Sequence, residues 1–548
     1  MKPFLCSLLA LASLSSLHAQ VSTPERDVLP PRVAPLVPGK PGVPQKPLGA
    51  IVKPQLPTPP ALPPGFSPEL PPRLAPVINT SSLLKVNVTY QGYNLQIPWQ
   101  KESAGGRRGL GVVLADNKVL VTGQMVGDAT YIELELPDSG QKIPARVVAV
   151  DYEANLALLA PNSPSKEKTF FAALKPMTVD TSARIGDSLS VWQTGRVGEL
   201  IVTPLRISKV MTQGYVVENA AFLVYEAQGI IRTEGNSFTL PVVKGGKLAA
   251  LLLRYDSKNQ VATLLPAPII DHFLKDVADG KYDGFPSLGV EFQITLDDQF
   301  REYLGLKADQ PGVYISSVLK GASADKAGVK KGDIMVAING FNIDARGDYQ
   351  DPKYGAVSVS HIVRGRAFVG DAVEIKVLRE GKEVVLKSQL ARKQPEEYLV
   401  LPYLFDKGPK YVLGGGMLFQ ELTRPYLNSF GTEQQGGPIL RLQRIASQPD
   451  EFEKAGKKKV VFLSAILPTS STQGYERMSG QVVEEVNDKK ITELADVVAA
   501  FKEPKNGLHI VKLREFPFIL HLDAVKVERD NLQLMNGMFR VSELSRLE

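Results

Sequence analysis

The sequence predicts a mainly β protein: a closed β architecture over about residues 82–265, followed by two copies of one α+β unit. Three observations carry this prediction. Short apolar runs separated by Gly, Asp and Asn turns recur through residue 265. The pattern around Val313–Val318 returns 148 residues later, at Val461–Ile466. The first 78 residues differ in composition from everything that follows.

Met1-Lys2, the apolar stretch Phe4 to Leu17 and then His18-Ala19-Gln20 read as a secretory signal peptide over 1–19, cut after Ala19. Leu17 departs from the small-residue preference near such a cut. The apolar run is short for a bilayer span, which makes an uncleaved anchor the weaker reading. Residues 20–78 hold 18 of the 41 prolines, so the segment is expected as an extended linker rather than a helix or sheet core. A ligand for a proline-reading module is the alternative. Cys6 is the only cysteine, so the mature chain would carry no disulfide and no cysteine-bound metal. The expected location is a bacterial periplasm.

The 548 residues leave room for about three or four domains. Hydrophobic content of 43% and charged content of 22% suit a globular core. A net charge of +6 without a basic stripe argues against nucleic-acid binding. The one basic cluster is Lys454 to Lys459; elsewhere charges alternate in sign, as on a solvated face. No later run is long and apolar enough to span a membrane.

Within residues 79–275, strands are expected at Leu110–Leu114, Lys118–Thr122, Tyr131–Leu136, Ala145–Val150 and Leu248–Leu253, with a closing helix around Ile269–Leu274. Between two apolar strands lies Gly235-Asn236-Ser237-Phe238. A small residue two before a serine lets consecutive N–H groups turn inward as an oxyanion hole, which is the role Gly235 would fill. An ordinary turn serine is the plainer reading of Ser237.

Three segments in order, Val121-Thr122-Gly123-Gln124-Met125-Val126, Ala154-Asn155-Leu156-Ala157-Leu158-Leu159 and the Ser237 loop, resemble the catalytic segments of HtrA/Deg serine proteases. The resemblance implies a trypsin-like pair of six-stranded barrels. It also implies that Met125 stands where the family has its histidine and Asn155 where it has its aspartate. Phe238-Thr239-Leu240 replaces the glycines expected after the serine. The five histidines are His18, His272, His361, His509 and His521, so none lies between residue 19 and Ser237. A serine nucleophile needs a base to take its proton, and the usual base is missing. Lys244 or Lys247 is the rival base.

Residues 283–394 resemble a PDZ domain. Ser287-Leu288-Gly289-Val290 is similar to the loop that grips a peptide's terminal carboxylate, and Ala324 to Gly340 is similar to the most recognisable PDZ stretch. The resemblance implies a groove wall near Val359, Ile362 and Val363, with Phe292 and Ile362 lining the pocket for the last side chain. The repeat makes 395–532 a diverged second PDZ domain, followed by a tail at 533–548. Its glycine-rich Tyr411–Phe419 reads as a degenerate binding loop. No Gly-Lys-Ser/Thr follows, so a phosphate loop does not fit. The whole arrangement is most similar to plant Deg proteases and their bacterial relatives.

The expected function is therefore an exported pseudoprotease in protein quality control, binding unfolded proteins or C-terminal peptides without cofactor or metal. An active endopeptidase with an unusual base, or a regulatory subunit of an active paralogue, are the alternatives. A homotrimer formed through Tyr90, Tyr93 and Trp99 is expected, unless these aromatics are simply core.

Overall fold

Two closed six-stranded barrels follow one another from Leu83 to Pro266. The computed structural model describes residues 82–548 apart from 163, 195–199, 218–219, 233–238, 308–309, 432–435 and 538. The signal-peptide and proline-rich expectations lie outside these residues.

The first barrel joins β1 (Leu83–Tyr90), β2 (Gly105–Val113), β3 (Val119–Val121), β4 (Ala129–Glu135), β5 (Lys142–Asp151) and β6 (Leu156–Pro161) in the order β1-β2-β3-β6-β5-β4. The alternation in β1 turns Leu84, Val86 and Val88 inward. A single helical turn, α1 (Gly123–Val126), follows β3, and α2 (Pro164–Phe171) leads to the second barrel. That barrel closes β7 (Ser188–Thr194), β8 (Leu200–Gly214), β9 (Ala221–Gln228), β10 (Leu240–Lys244), β11 (Lys247–Asp256) and β12 (Val261–Pro266) in the order β10-β11-β12-β9-β8-β7. Helix α3 (Ala267–Val277) then buries Ile269, Ile270 and Phe273.

The first α+β domain contains β13 (Val290–Gln293), α4 (Asp298–Tyr303), β14 (Val313–Val318), α5 (Ser323–Ala327), β15 (Ile334–Ile338), β16 (Phe341–Asn342), the hairpin β17 (Asp348–Asp351) and β18 (Gly355–Ser358), α6 (Ser360–Arg364), β19 (Ala372–Arg379) and β20 (Lys382–Gln389). Its sheet runs β13-β14-β15-β19-β20, so β13 is an edge strand. Asn339 and Gly340, with φ of 48° and 79°, form the β15–β16 turn that the sequence predicts.

The second α+β domain contains β21 (Tyr411–Gly414), β22 (Met417–Glu421), α7 (Arg424–Asn428), α8 (Gly437–Ser447), α9 (Asp450–Lys454), β23 (Val461–Ile466), β24 (Gln481–Val486), β25 (Lys489–Lys490), α10 (Leu494–Phe501), β26 (Leu508–Leu513), β27 (Ile519–Asp523), α11 (Ala524–Asn536) and β28 (Ser545–Arg546). Its sheet runs β27-β26-β24-β23-β22-β21-β28. The sequence repeat reappears as matched backbone bonds: Gly332 N–H to Ile315 O at 2.9 Å corresponds to Gly480 N–H to Leu463 O at 2.7 Å.

Two expectations change. The segment read as a C-terminal tail continues α11 and supplies β28, which pairs with β21. The aromatics read as an oligomer contact face this chain's own second α+β domain or first barrel. Trp99 Nε1–H donates to Phe539 O at 3.0 Å, and its ring lies 6.0 Å from that of Tyr411. Tyr93 lies under the Arg546 guanidinium, and Tyr90 under that of Arg107. Large amphipathic rings with a polar handle fit such a seam.

Candidate active-site cleft and peptide groove

Helix α1 faces the second barrel through its N-cap. The Thr122 N–H donates to Thr239 Oγ1 at 2.9 Å, and the two hydroxyls are also 2.9 Å apart. Thr239 is buried, with φ of 52°, and stands two residues after Ser237. Gly235, Ser237 and Phe238 themselves lie outside the described residues. Met125 is wholly buried against Val119, Val121 and Leu134 in the first barrel's core. Its thioether is only a weak hydrogen-bond acceptor and accepts no proton at neutral pH.

Asn155 adopts φ of 53°, a conformation that Asn tolerates better than most residues. Its Oδ1 accepts the Gln124 N–H at 2.9 Å, so it caps α1. The helix and the β5–β6 turn approach so closely that a Cβ on Gly123 would sit 3.2 Å from Asp151 O. Met125, Asn155 and Thr239 are thus carried on elements that meet in one place.

Lys244 is at the far end of β10 from the serine loop, about 13 Å along the strand from Leu240, and forms an ion pair with Asp187 at 2.6 Å. Lys247 is exposed. The described histidines are mostly buried. His272 is stacked between Phe285 and Phe368, at 4.4 and 4.0 Å, with Nε2 2.9 Å from Ala367 O. His361 is buried beside Tyr354, and His509 beside Asn487. Burial lowers the pKa of all three, that of His361 to about 4.

Sequence reading missed the electrostatics of the β5–β6 turn. Asp151 Oδ2 accepts the Tyr282 hydroxyl at 2.6 Å and pairs with Arg392 Nη1 at 3.1 Å, while its Oδ1 accepts the Ala154 N–H at 2.7 Å. Glu153 pairs with Arg364 at 3.1 Å. Burial pushes the Tyr282 hydroxyl far above its usual range, and the Asp151 charge adds to this. Burial would lower the Arg392 pKa, but Asp151 and Glu153 outweigh it and raise it. On the same turn, Tyr152 donates to Asp406 and stacks on Phe405 with centroids 4.1 Å apart. Nothing local signals these contacts, because Tyr282 is 131 positions from Asp151 and Arg364 is 211 from Glu153.

At the other candidate site, Ser287 and Leu288 lead through Gly289 into Val290, which pairs with Val318. The Gly289 carbonyl accepts the Leu319 N–H at 2.8 Å, and its own N–H donates to Ser287 Oγ at 3.1 Å. With φ of 71°, and with a Cβ that would fall 2.3 Å from Ala322 Cβ, position 289 requires glycine. Among the described residues no strand pairs with the outer edge of β13. The Phe292 ring lies against Gly347, where an added Cβ would come within 2.5 Å. Ile362, expected to line the pocket for the last side chain, is only 3% exposed, in a core that joins this domain to the second barrel. The physical reason is that α6 packs on β9.

Residues 287–349 and 400–543 each match the PDZ domain family. Protease Do-like 2, chloroplastic, from Arabidopsis thaliana is 24% identical over 432 residues, covering 77% of this chain and 68% of its own. Protease Do-like 4, mitochondrial, from the same plant is 26% identical, covering 64% and 66%. The chain is an HtrA/Deg homologue with two PDZ domains. Periplasmic serine endoprotease DegP of Salmonella typhimurium is 25% identical to this homologue over 289 residues, covering 52% of this chain and 56% of its own. Among the described residues no helix is long and apolar enough to cross a membrane.

Proposed function

We propose that this HtrA/Deg homologue is an exported pseudoprotease that holds unfolded or C-terminal polypeptide segments on its first PDZ domain, in protein quality control. The observation that carries the reading is Met125, which is sealed into the first barrel's core at the position the family gives to histidine. Asn155 supports it, because its amide oxygen is engaged as a helix cap. For capture, the open edge of β13 offers unpaired main-chain groups, and the exposed Ile294 and Leu296 follow it directly. Export rests on the leader sequence and fits the periplasmic name of the Salmonella relative.

The test is casein digestion by the purified chain beside its Ser237→Ala variant, with fluorophosphonate labelling of both. Equal background digestion and no labelling are expected. Digestion that disappears in the Ala variant would establish an active protease instead.

A further inference from the structure

A cavity of about 70 Å³ lies behind the loop that holds Ser287 and Gly289. Its other walls are the turn that follows β14 and the chain from Ala391 to Tyr398 that leaves the first PDZ domain. No residue of β13 or α6 lines it, so it is separate from the groove beside β13. The space is larger than a single water needs.

The walls carry an excess of positive charge. Lys320, Lys326, Arg392 and Lys393 face one carboxylate, that of Glu397. Glu397 is already engaged, since its Oε2 accepts the Gln394 N–H at 2.6 Å. The nearby Asp325 is engaged as well, through the Gly321 N–H at 2.8 Å. Arg392 has a side chain only 11% exposed, and its Nη1 is held by Asp151 at 3.1 Å. Its Nε is buried and finds no acceptor among the described residues. A buried donor left unmet is costly, and more so on a charged group.

Lys393 is half-buried, with its Nζ 4.9 Å from the centre of the Tyr398 ring and 3.3 Å from Lys320 O, to which it donates. An ammonium has three donors, and among the described residues Lys393 forms no ion pair. Burial lowers its pKa, and Glu453, Glu397 and Asp325 offset only part of this. Cations withdrawn from water are normally paired. Here the partner is missing from the chain itself.

We propose that this cavity is a binding site for a small oxyanion of the phosphate or sulfate class, held by Arg392 Nε and Lys393, with the exposed Lys320 and Lys326 at its mouth. Such an ion presents acceptors in several directions at once, which suits donors that converge from separate segments. Ser287 and Gly289 form one wall, and the Ser287 N–H donates to Ala391 O at 3.0 Å, next to Arg392. The bound oxyanion therefore braces this loop from behind and joins it to the Asp151 turn of the first barrel through Arg392. The site stands independently of the capture reading above.

Equilibrium dialysis of the full chain against radiolabelled inorganic phosphate, at fixed ionic strength, tests the inference. One saturable site per chain is expected, and unlabelled sulfate should compete for it. Lys393→Gln should weaken binding at least about tenfold. Lys320→Gln should weaken it too, and because that side chain is exposed it serves as the test if Lys393→Gln fails to fold. Lys454→Gln, an exposed lysine in the basic cluster, should leave it unchanged. Phosphate should also raise the melting temperature of the wild type beyond what chloride does at the same ionic strength. No saturable phosphate binding, equal binding in both cavity variants, or a rise in melting temperature matched by chloride would mean an adventitious ion only and overturn the inference.

Discussion

Asn155 Oδ1 accepts the Gln124 N–H at 2.9 Å, which makes Asn155 a cap of helix α1. Replacing it with Ala removes the cap and leaves at φ of 53° a residue that tolerates this conformation less well than Asn. The expected loss is about 1–2 kcal/mol of stability, read as a lower urea midpoint. Asn155→Asp keeps the acceptor and should recover most of it.

Arg392 is the partner of an Asp151 whose side chain has no solvent exposure. Arg392→Leu strands that carboxylate in the interior and should cost about 3–5 kcal/mol. Tyr282→Phe removes one charge-assisted bond and should cost about 1.5–3 kcal/mol. Chemical denaturation of both variants gives the comparison, and an Arg392→Leu loss below that of Tyr282→Phe would contradict the assignment.

His361 sets a pH dependence. Its folded pKa is about 4, against about 6.5 when unfolded. Between these values the unfolded chain binds the extra proton, so stability is full above about pH 6.5 and declines as pH falls toward 4. The loss approaches about 3 kcal/mol. His272 and His509 act in the same direction. Melting temperatures of wild type and His361→Gln across pH 4–7 should show a shallower slope in the variant.

Gly289→Val forces a Cβ against Ala322 at the peptide loop. Binding of an apolar C-terminal peptide should weaken at least about tenfold, equivalent to 1.4 kcal/mol. Unchanged binding in fluorescence anisotropy would place the ligand elsewhere.

Trp99→Ala removes a ring buried between the first barrel and the second PDZ domain. A destabilisation of about 3–5 kcal/mol is expected, with no change in sedimentation. A change of assembly state with an unchanged melt would restore the oligomer role.

The sequence displayed what is periodic or local. The apolar runs of β2 and β11, the Asn339-Gly340 turn and the 148-residue repeat all depend on neighbours in the chain. It also suggested, through the resemblance of their segments to the family's, that Met125 and Asn155 lie near one another, and the Gln124–Asn155 bond joins those segments. It did not show that Asn155 caps α1, that Ile362 is covered by the second barrel or that Trp99 serves as core. Each of these depends on a surface contributed from far along the chain. The place of Tyr411–Gly414 was hidden for another reason: β21 and the β22 strand beside it have the same apolar character, and only their pairing tells them apart.

The Trp99 bond to Phe539 spans 440 positions, and that of Arg546 to Pro98 spans 448. The β1–β2 connection of the first barrel therefore finds these partners only when a segment about 440 positions further along the chain has been made. A chain cut before residue 545 lacks β28 and the Arg546 contact. It exposes Tyr93 and weakens the cover over β21. Proteases sample such loosened segments readily. Long-range closure of this kind also folds slowly.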